Sequence, residues 1–192
     1  MQWNNKFIYP KSTRSIVQGL RHYSVNEENL PSVTTILKAT ESEEKKAKLA
    51  EWKNRVGHKQ AEIISREATS RGSSMHDYLE KFLLGKLNMD LLGDNAREKM
   101  MADQIIENGL RDKLSEIWGC EATLYYPEKY AGAADCIGIY ENKETIIDFK
   151  QSNKPKKDER IDDYYLQCAA YALAHNTVYG SNIRQATILL CT

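Results

Sequence analysis

The sequence predicts an α/β protein with a mixed central sheet, and three observations carry that prediction. Apolar residues recur at helical spacing from about Glu41 to Leu84 and again from Asp94 to about Ile117. The pattern then turns strand-like over Glu121–Tyr126, Ala133–Tyr140 and Thr145–Lys150. A helical pattern over Arg160–Asn176 leads into a last apolar run, Arg184–Cys191. From Asp94 the order is therefore α-β-β-β-α-β. Three strands with short links form an antiparallel meander, and the second helix carries the chain back to a fourth strand by a crossover. The 192 residues suffice for one substantial core. Residues 1–93, a terminal segment and helical region, and residues 94–192, the α/β core, are expected to form one compact unit.

Each element has a local reason. Phe7-Ile8-Tyr9-Pro10 and Arg21-His22-Tyr23-Ser24-Val25 have the composition of short strands. Ser32 after Pro31 is a helix N-cap for the run that follows. From Glu41, lysines and glutamates interleave as on a solvated charged helix, with Trp52 as an aromatic that a nucleic-acid strand could meet. Over residues 58–84, Met75, Leu79, Phe82 and Leu83 form the expected buried stripe, Asp77, Tyr78 and Lys81 face away, and Gly72 is a weak point. Leu84-Gly85 ends that helix and 85–93 is read as a loop. Asp94 caps the next helix, whose core candidates are Met101, Ile105, Leu110, Leu114 and Ile117. Glu141-Asn142-Lys143 is a turn, and residues 151–158 are a basic polar loop. On the last helix Ile161, Tyr165, Cys168 and Ala172 form the expected core stripe, and Arg160, Tyr164, Gln167 and Tyr171 share the neighbouring face.

Composition narrows the function. Lysine plus arginine and aspartate plus glutamate each number 27, so the net charge is zero, which disfavours indiscriminate duplex binding but allows a basic groove beside an acidic site. No apolar run is long enough to span a bilayer, and the N-terminus lacks the apolar core of a signal peptide. With no targeting signal seen, the expected setting is the cytoplasm of a bacterium or a phage-infected host cell. Cys120, Cys136, Cys168 and Cys191 are scattered without a CxxC pair, as small buried hydrophobes in a reducing compartment are, so neither a zinc site nor an iron–sulfur cluster is expected.

The chemistry concentrates in Gly132–Lys150. Asp148 and Lys150 flank Phe149, so a strand puts both on one face. A neighbouring strand that adds Asp135 makes an acidic pocket with one amine. Two carboxylates can hold a divalent cation, and the lysine can position an attacking hydroxide or stabilise developing phosphate charge. His76 and Glu80 lie one turn apart at the edge of a buried stripe. A lone histidine there is more often structural than a ligand. Gln167 and Tyr171 follow on the helix after the Asp148 strand, near enough to orient a water or Lys150.

These residues together resemble the PD-(D/E)XK nuclease superfamily. Within it they are similar to RecB-like exonuclease domains, in the branch that includes mitochondrial genome maintenance exonuclease and its phage relatives. The likeness rests on RGSSMH ending in His76 with Glu80, Glu121, GAAD ending in Asp135, DFK at Asp148 and Lys150, and QCAAY at Gln167 and Tyr171, and spans roughly residues 31–191. It implies a restriction-endonuclease-like core with an N-terminal helical region. It implies His76, Asp135, Asp148 and the Phe149 backbone carbonyl as ligands of one or two Mg2+ or Mn2+ ions, with Glu121 or Glu80 as further candidates. It implies Lys150 as the catalytic lysine, Gln167 and Tyr171 as its accessory motif, and no iron–sulfur cluster. The expected activity is that of a DNA exonuclease acting on single-stranded ends in replication, recombination or repair, with no membrane partner. Trp52 and the Lys154–Lys157 loop would help to grip the strand. Family members usually continue past the fourth strand with another strand and helix, which implies that part of a substrate channel lies beyond Thr192. The rival readings are a non-catalytic nucleic-acid-binding module on the same fold, a structure- or sequence-specific endonuclease, and a structural domain whose strand carboxylates form salt bridges.

Overall fold

Two sheets and five helices make up the described part of this computed structural model, which describes residues 1–87, 97–153, 155 and 161–192. In chain order they are β1 (Gln2–Trp3), β2 (Thr13–Val17), β3 (Leu20–Val25), β4 (Glu28–Pro31), α1 (Val33–Ala39), α2 (Glu43–Val56), α3 (His58–Leu83), α4 (Arg97–Ile105), β5 (Leu114–Tyr126), β6 (Tyr130–Tyr140), β7 (Lys143–Gln151), α5 (Asp162–Tyr179) and β8 (Gln185–Cys191). The main sheet is mixed, in the order β1-β5-β6-β7-β8. The β5-β6-β7 meander is antiparallel, and β8 joins β7 in parallel after the α5 crossover, as the element order predicts. Two apolar layers cover it. Met75, Leu79 and Leu83 of α3, with Met101 and Ile105 of α4, pack on one side against Ile147 and Phe149. Cys168, Tyr171 and Ala174 of α5 pack on the other against Ile137 and Ile146, with Val33 of α1.

The terminal region differs from its reading. Residues 7–10 are not a strand. Phe7 and Tyr9 instead pack in an aromatic cluster with Trp118, His175 and Tyr179. Arg21–Val25 does lie in a strand, β3, the middle of a second antiparallel sheet in the order β2-β3-β4. Its two links, Gln18-Gly19 and Asn26-Glu27, have positive φ at all four positions (52°, 78°, 46° and 69°), the backbone of tight two-residue hairpins. Ser32 caps α1 as expected, its Oγ accepting from Thr35 N at 3.0 Å, and Ser42 caps α2 from Lys45 N at 3.3 Å.

Three helix readings are corrected. Tyr78 does not face away on α3 but is 5% exposed, because α4 covers a wider face than a narrow stripe. The helix after Asp94 does not reach Ile117. It passes through a π-helical turn at Ile106–Leu110, and Leu114–Ile117 already belong to β5. The proposed cap at Asp94 lies outside the described residues. On α5 the buried residues are Cys168, Tyr171, Ala174 and His175, while Tyr165 is 51% exposed. That helix is apolar nearly all round, so spacing alone could not pick its inner face. Residues 58–84 could form one helix or two in line, and they form one: α3 runs for 26 residues through Gly72.

A candidate active site where the sheet forks

The β6–β7 hairpin turns at Glu141-Asn142, both at positive φ, and closes with the pair Tyr140↔Lys143. Its ladder runs as far as Cys136↔Ile147 and stops. The next residues on the two arms are Asp135 and Asp148. Beyond them β6 pairs with β5, down to Tyr126↔Tyr130, and β7 pairs with β8, as far as Gln151↔Cys191. The acids therefore stand where the sheet forks between its central strands, not at its outer edge. Asp135 partly closes the fork, its Oδ2 accepting from the Phe149 backbone N–H at 2.7 Å.

Glu121 of β5 falls between the pairs Cys120↔Cys136 and Ala122↔Ala134, which puts it level with Asp135. Its φ is +47°, a left-handed conformation that a glutamate rarely adopts and that functional sites often impose. The side-chain alternation also resets here. Cys136 packs in the layer under α3 and α4, whereas Ala134, two residues away, packs in the layer under α5. Glu121, Asp135 and Asp148 thus form a row across three strands.

From α3, His76 Nδ1 approaches Asp135 Oδ1 to 3.5 Å, and its ring meets Phe149 edge-on at 6.2 Å. One ligand atom each from His76, Glu121 and Asp135 lies within 4.8 Å of the others, a donor set of the kind that holds a divalent cation. The electrostatics match. Burial, and then the charge of Asp135, push the Glu121 carboxyl above the usual carboxylate range. Burial lowers the His76 imidazole, but hydrogen bonding and charge from Asp135 outweigh it and hold the ring above its ordinary value. Such a crowd of repelling acids is what a cation relieves.

Asp148 sits deeper, 1% exposed. Among the described residues its carboxylate forms an ion pair with Lys150, yet neither oxygen receives an aligned hydrogen bond. Burial, followed by the charge of Asp135, pushes it up to about 6. Burial also pulls Lys150 down, and Asp148 and Asp135 more than restore it, leaving a charged amine whose Nζ lies 5.1 Å over the Tyr164 ring.

The structure brings His76, Asp135 and Glu121 together and sets Asp148 and Lys150 beside them. Glu80 is near enough to raise Glu121 but is not one of the three grouped donors. Gln167 Nε2 donates to the Tyr171 hydroxyl at 3.3 Å rather than to Lys150 or an acid. Tyr171 explains Gly132 of the GAAD run: a Cβ there would stand 2.7 Å from the Tyr171 ring. The helix-after-strand motif and the Asp135 strand are thus fitted to each other by shape. On α2, Lys46 and Lys48 pair with Glu43 and Glu44, as on a solvated charged helix, and Trp52 is half-buried. Of residues 154–157 only Pro155 is described, so a grip by Lys154, Lys156 or Lys157 lies outside the described residues.

Sequence reasoning missed one tie. Arg71 Nε donates to Gln151 Oε1 at 3.0 Å, and Gln151 Nε2 donates to the Ala68 carbonyl at 3.0 Å. The helix carrying His76 is thereby bolted to the strand carrying Asp148 and Lys150. The only signal was an arginine before Gly72 and an amide after Lys150.

No family model matches the chain. Human mitochondrial genome maintenance exonuclease 1 is 28% identical over 169 residues, covering 84% of this chain and 48% of the relative. The Xenopus tropicalis protein of that name is 31% identical over 172 residues, with coverage of 84% and 48%, and the Mus musculus protein 31% over 170, with 84% and 49%. The chain is homologous to proteins named as exonucleases, and it spans about half the length of these curated relatives. They overturn one expectation. Three vertebrate proteins named for the mitochondrial genome point to the mitochondrion, not to a bacterial or phage-infected cytoplasm. Among the described residues no helix is long and apolar enough to cross a membrane.

Proposed function

We propose that this chain is a PD-(D/E)XK-type, metal-dependent DNA exonuclease on a restriction-endonuclease-like core, hydrolysing phosphodiester bonds at single-stranded ends. The observation that carries the reading is the acidic row at the fork, with His76 above it and Lys150 beside it. A carboxylate as buried as Asp148 with no hydrogen-bond donor is stable only beside positive charge, and Lys150 meets one oxygen. The donor set fits a hard divalent cation, Mg2+ or Mn2+, held by His76, Glu121 and Asp135, with Asp148 and the Phe149 carbonyl at the same fork. When bound, such an ion acidifies a water and neutralises charge on the scissile phosphate.

The chain's own residues supply the rest. Asp135 orients His76 through its Nδ1 and holds the Phe149 amide, fixing two elements at once. Lys150, held charged by Asp148, is the ammonium that would meet the developing negative charge of a phosphate. Tyr171 and Gln167 keep the Asp135 strand in place from below. The exonucleases to which the chain is homologous support DNA as substrate and genome upkeep as the setting.

The test is digestion of end-labelled linear and circular single-stranded DNA with Mg2+, with Mn2+ and with EDTA. Loss of linear substrate alone, abolished by EDTA, is expected, and cutting of the circle would favour an endonuclease. Asp148→Ala and Lys150→Ala should each cut at least about 100-fold more slowly. Cutting at the wild-type rate by either variant rules the assignment out.

A further inference from the structure

Arg71 is held by two side-chain amides. Its Nε donates to Gln151 Oε1 at 3.0 Å and its Nη2 to Asn153 Oδ1 at 2.8 Å. Both acceptors are neutral amides, and among the described residues no carboxylate pairs with it. Other arginines of the chain do find acids: Arg66 pairs with Glu62 and Arg111 with Glu107. Neutral acceptors fix the direction of a guanidinium without cancelling its charge, whereas a carboxylate partner does both. The side chain is only half-buried, so the charge stays within reach of a ligand.

Its place matters. Gln151 follows Lys150 on β7, and strand alternation puts Ile147, Phe149 and Gln151 on the α3 side of the sheet while Asp148 and Lys150 face α5. On α3, Arg71 precedes His76 by five residues, a rise of about 7.5 Å along the helix axis. The fixed cation thus stands on the α3 face of the sheet, the face that carries His76, one strand position past Lys150. In a row dominated by carboxylates, an approaching polyanion needs positive charge at the margin.

Resting on the nuclease reading above, we infer that Arg71 is a preset anchor for a backbone phosphate of the substrate strand, one that neighbours the phosphate at the acids, and that Gln151 and Asn153 aim it. The contact is to the backbone and carries no base preference.

The experiment measures binding of an end-labelled, mixed-sequence single-stranded oligonucleotide in Ca2+ over a range of salt, with cleavage in Mg2+ run in parallel. Arg71→Gln should weaken binding for every sequence alike and reduce the slope of log affinity against log salt by about 0.7, the value of one single-strand phosphate contact. Arg71→Lys, which keeps the charge, should recover the slope. Gln151→Glu gives up the donation to the Ala68 carbonyl but keeps an acceptor for Arg71 and makes it a carboxylate, and should reduce the slope as Arg71→Gln does. The inference is overturned if Arg71→Gln, with a wild-type melting temperature, keeps the wild-type slope and affinity, or if Gln151→Glu binds as well as wild type. A wild-type protein that neither binds nor cuts the oligonucleotide would instead sink the nuclease reading itself.

Discussion

Two buried polar centres lie on the same sheet, and they are built on opposite plans. One surrounds His175 on α5. Its Nδ1 lies 2.6 Å from Ser181 Oγ, which donates to Asn176 Oδ1 at 2.7 Å, and its Nε2 lies 3.0 Å from the Tyr9 hydroxyl. A neutral ring with its proton on Nδ1 satisfies every group: Tyr9 donates to the ring and the ring to Ser181. Phe7, Trp118 and Tyr179 enclose it. The other centre is the fork, where carboxylates face each other and, among the described residues, Asp148 has only the Lys150 ammonium against one of its oxygens. A polar group whose partners are all supplied by the chain is architecture. A cluster of mutually repelling carboxylates balanced by one histidine and one lysine is suited instead to taking a cation.

That contrast can be broken most sharply at Asp148. Asp148→Asn should lower turnover by more than about 100-fold and should also lower the melting temperature, because it leaves the Lys150 ammonium without its buried carboxylate. A nuclease assay beside a thermal melt reads both, and cutting at the wild-type rate by the folded variant would mean that Asp148 is architecture too.

The His175 centre should respond to acid instead. Burial holds its pKa down at about 4, so below the ordinary histidine value the unfolded chain takes up a proton that the native state refuses. Its stabilisation is complete above about pH 6.5 and falls as pH drops towards 4, by roughly 3 kcal/mol in all. Denaturant melts of wild type and His175→Gln across this window measure it. A wild-type slope no steeper than that of the variant would count against a neutral, buried ring.

Cation binding sharpens the fork's side of the comparison. Mg2+ or Mn2+ at a hundred times its dissociation constant should stabilise the wild type by about 2.7 kcal/mol. The same addition should do markedly less for Glu121→Gln or His76→Ala. Equal shifts in all three would place the ion elsewhere.

The smallest effect is steric. Gly132→Ala would push a methyl into the Tyr171 ring and should lower stability by about 1–3 kcal/mol, with some loss of turnover as the Asp135 strand shifts. Truncating the ring as well, with Tyr171→Phe as control, should not rescue activity unless the fit is purely one of volume.

Much of the architecture could be read from the sequence because β6, β7, α5 and β8 are apolar runs of strand or helix length set apart by polar links. Where the reading failed, the backbone departs from a period. Leu110, Leu114 and Ile117 are spaced as on a helix, but register shifts between Leu114 and Glu116 and between Ile117 and Gly119 break the alternation that would have marked a strand. Tyr165 and Tyr171 were equally apolar candidates for the inner face of α5, and only packing against Gly132 chooses Tyr171. At the site, Asp148 and Lys150 were visible through their spacing. Glu121 could not be placed, since its position depends on a positive φ that nothing in an ordinary strand sequence announces. The Arg71–Gln151 tie joins residues 80 apart in the chain.

The β6–β7 turn acts as a measuring stick. Asp135 and Asp148 lie equally far from the closing pair Tyr140↔Lys143, one on each arm. Their meeting therefore depends on arm length rather than on either side chain. Lengthening one arm by a single residue would carry its acid to the opposite surface of the sheet and leave the other facing an apolar neighbour. The pocket can tolerate drift in most of its lining, but not an insertion or deletion between the two aspartates.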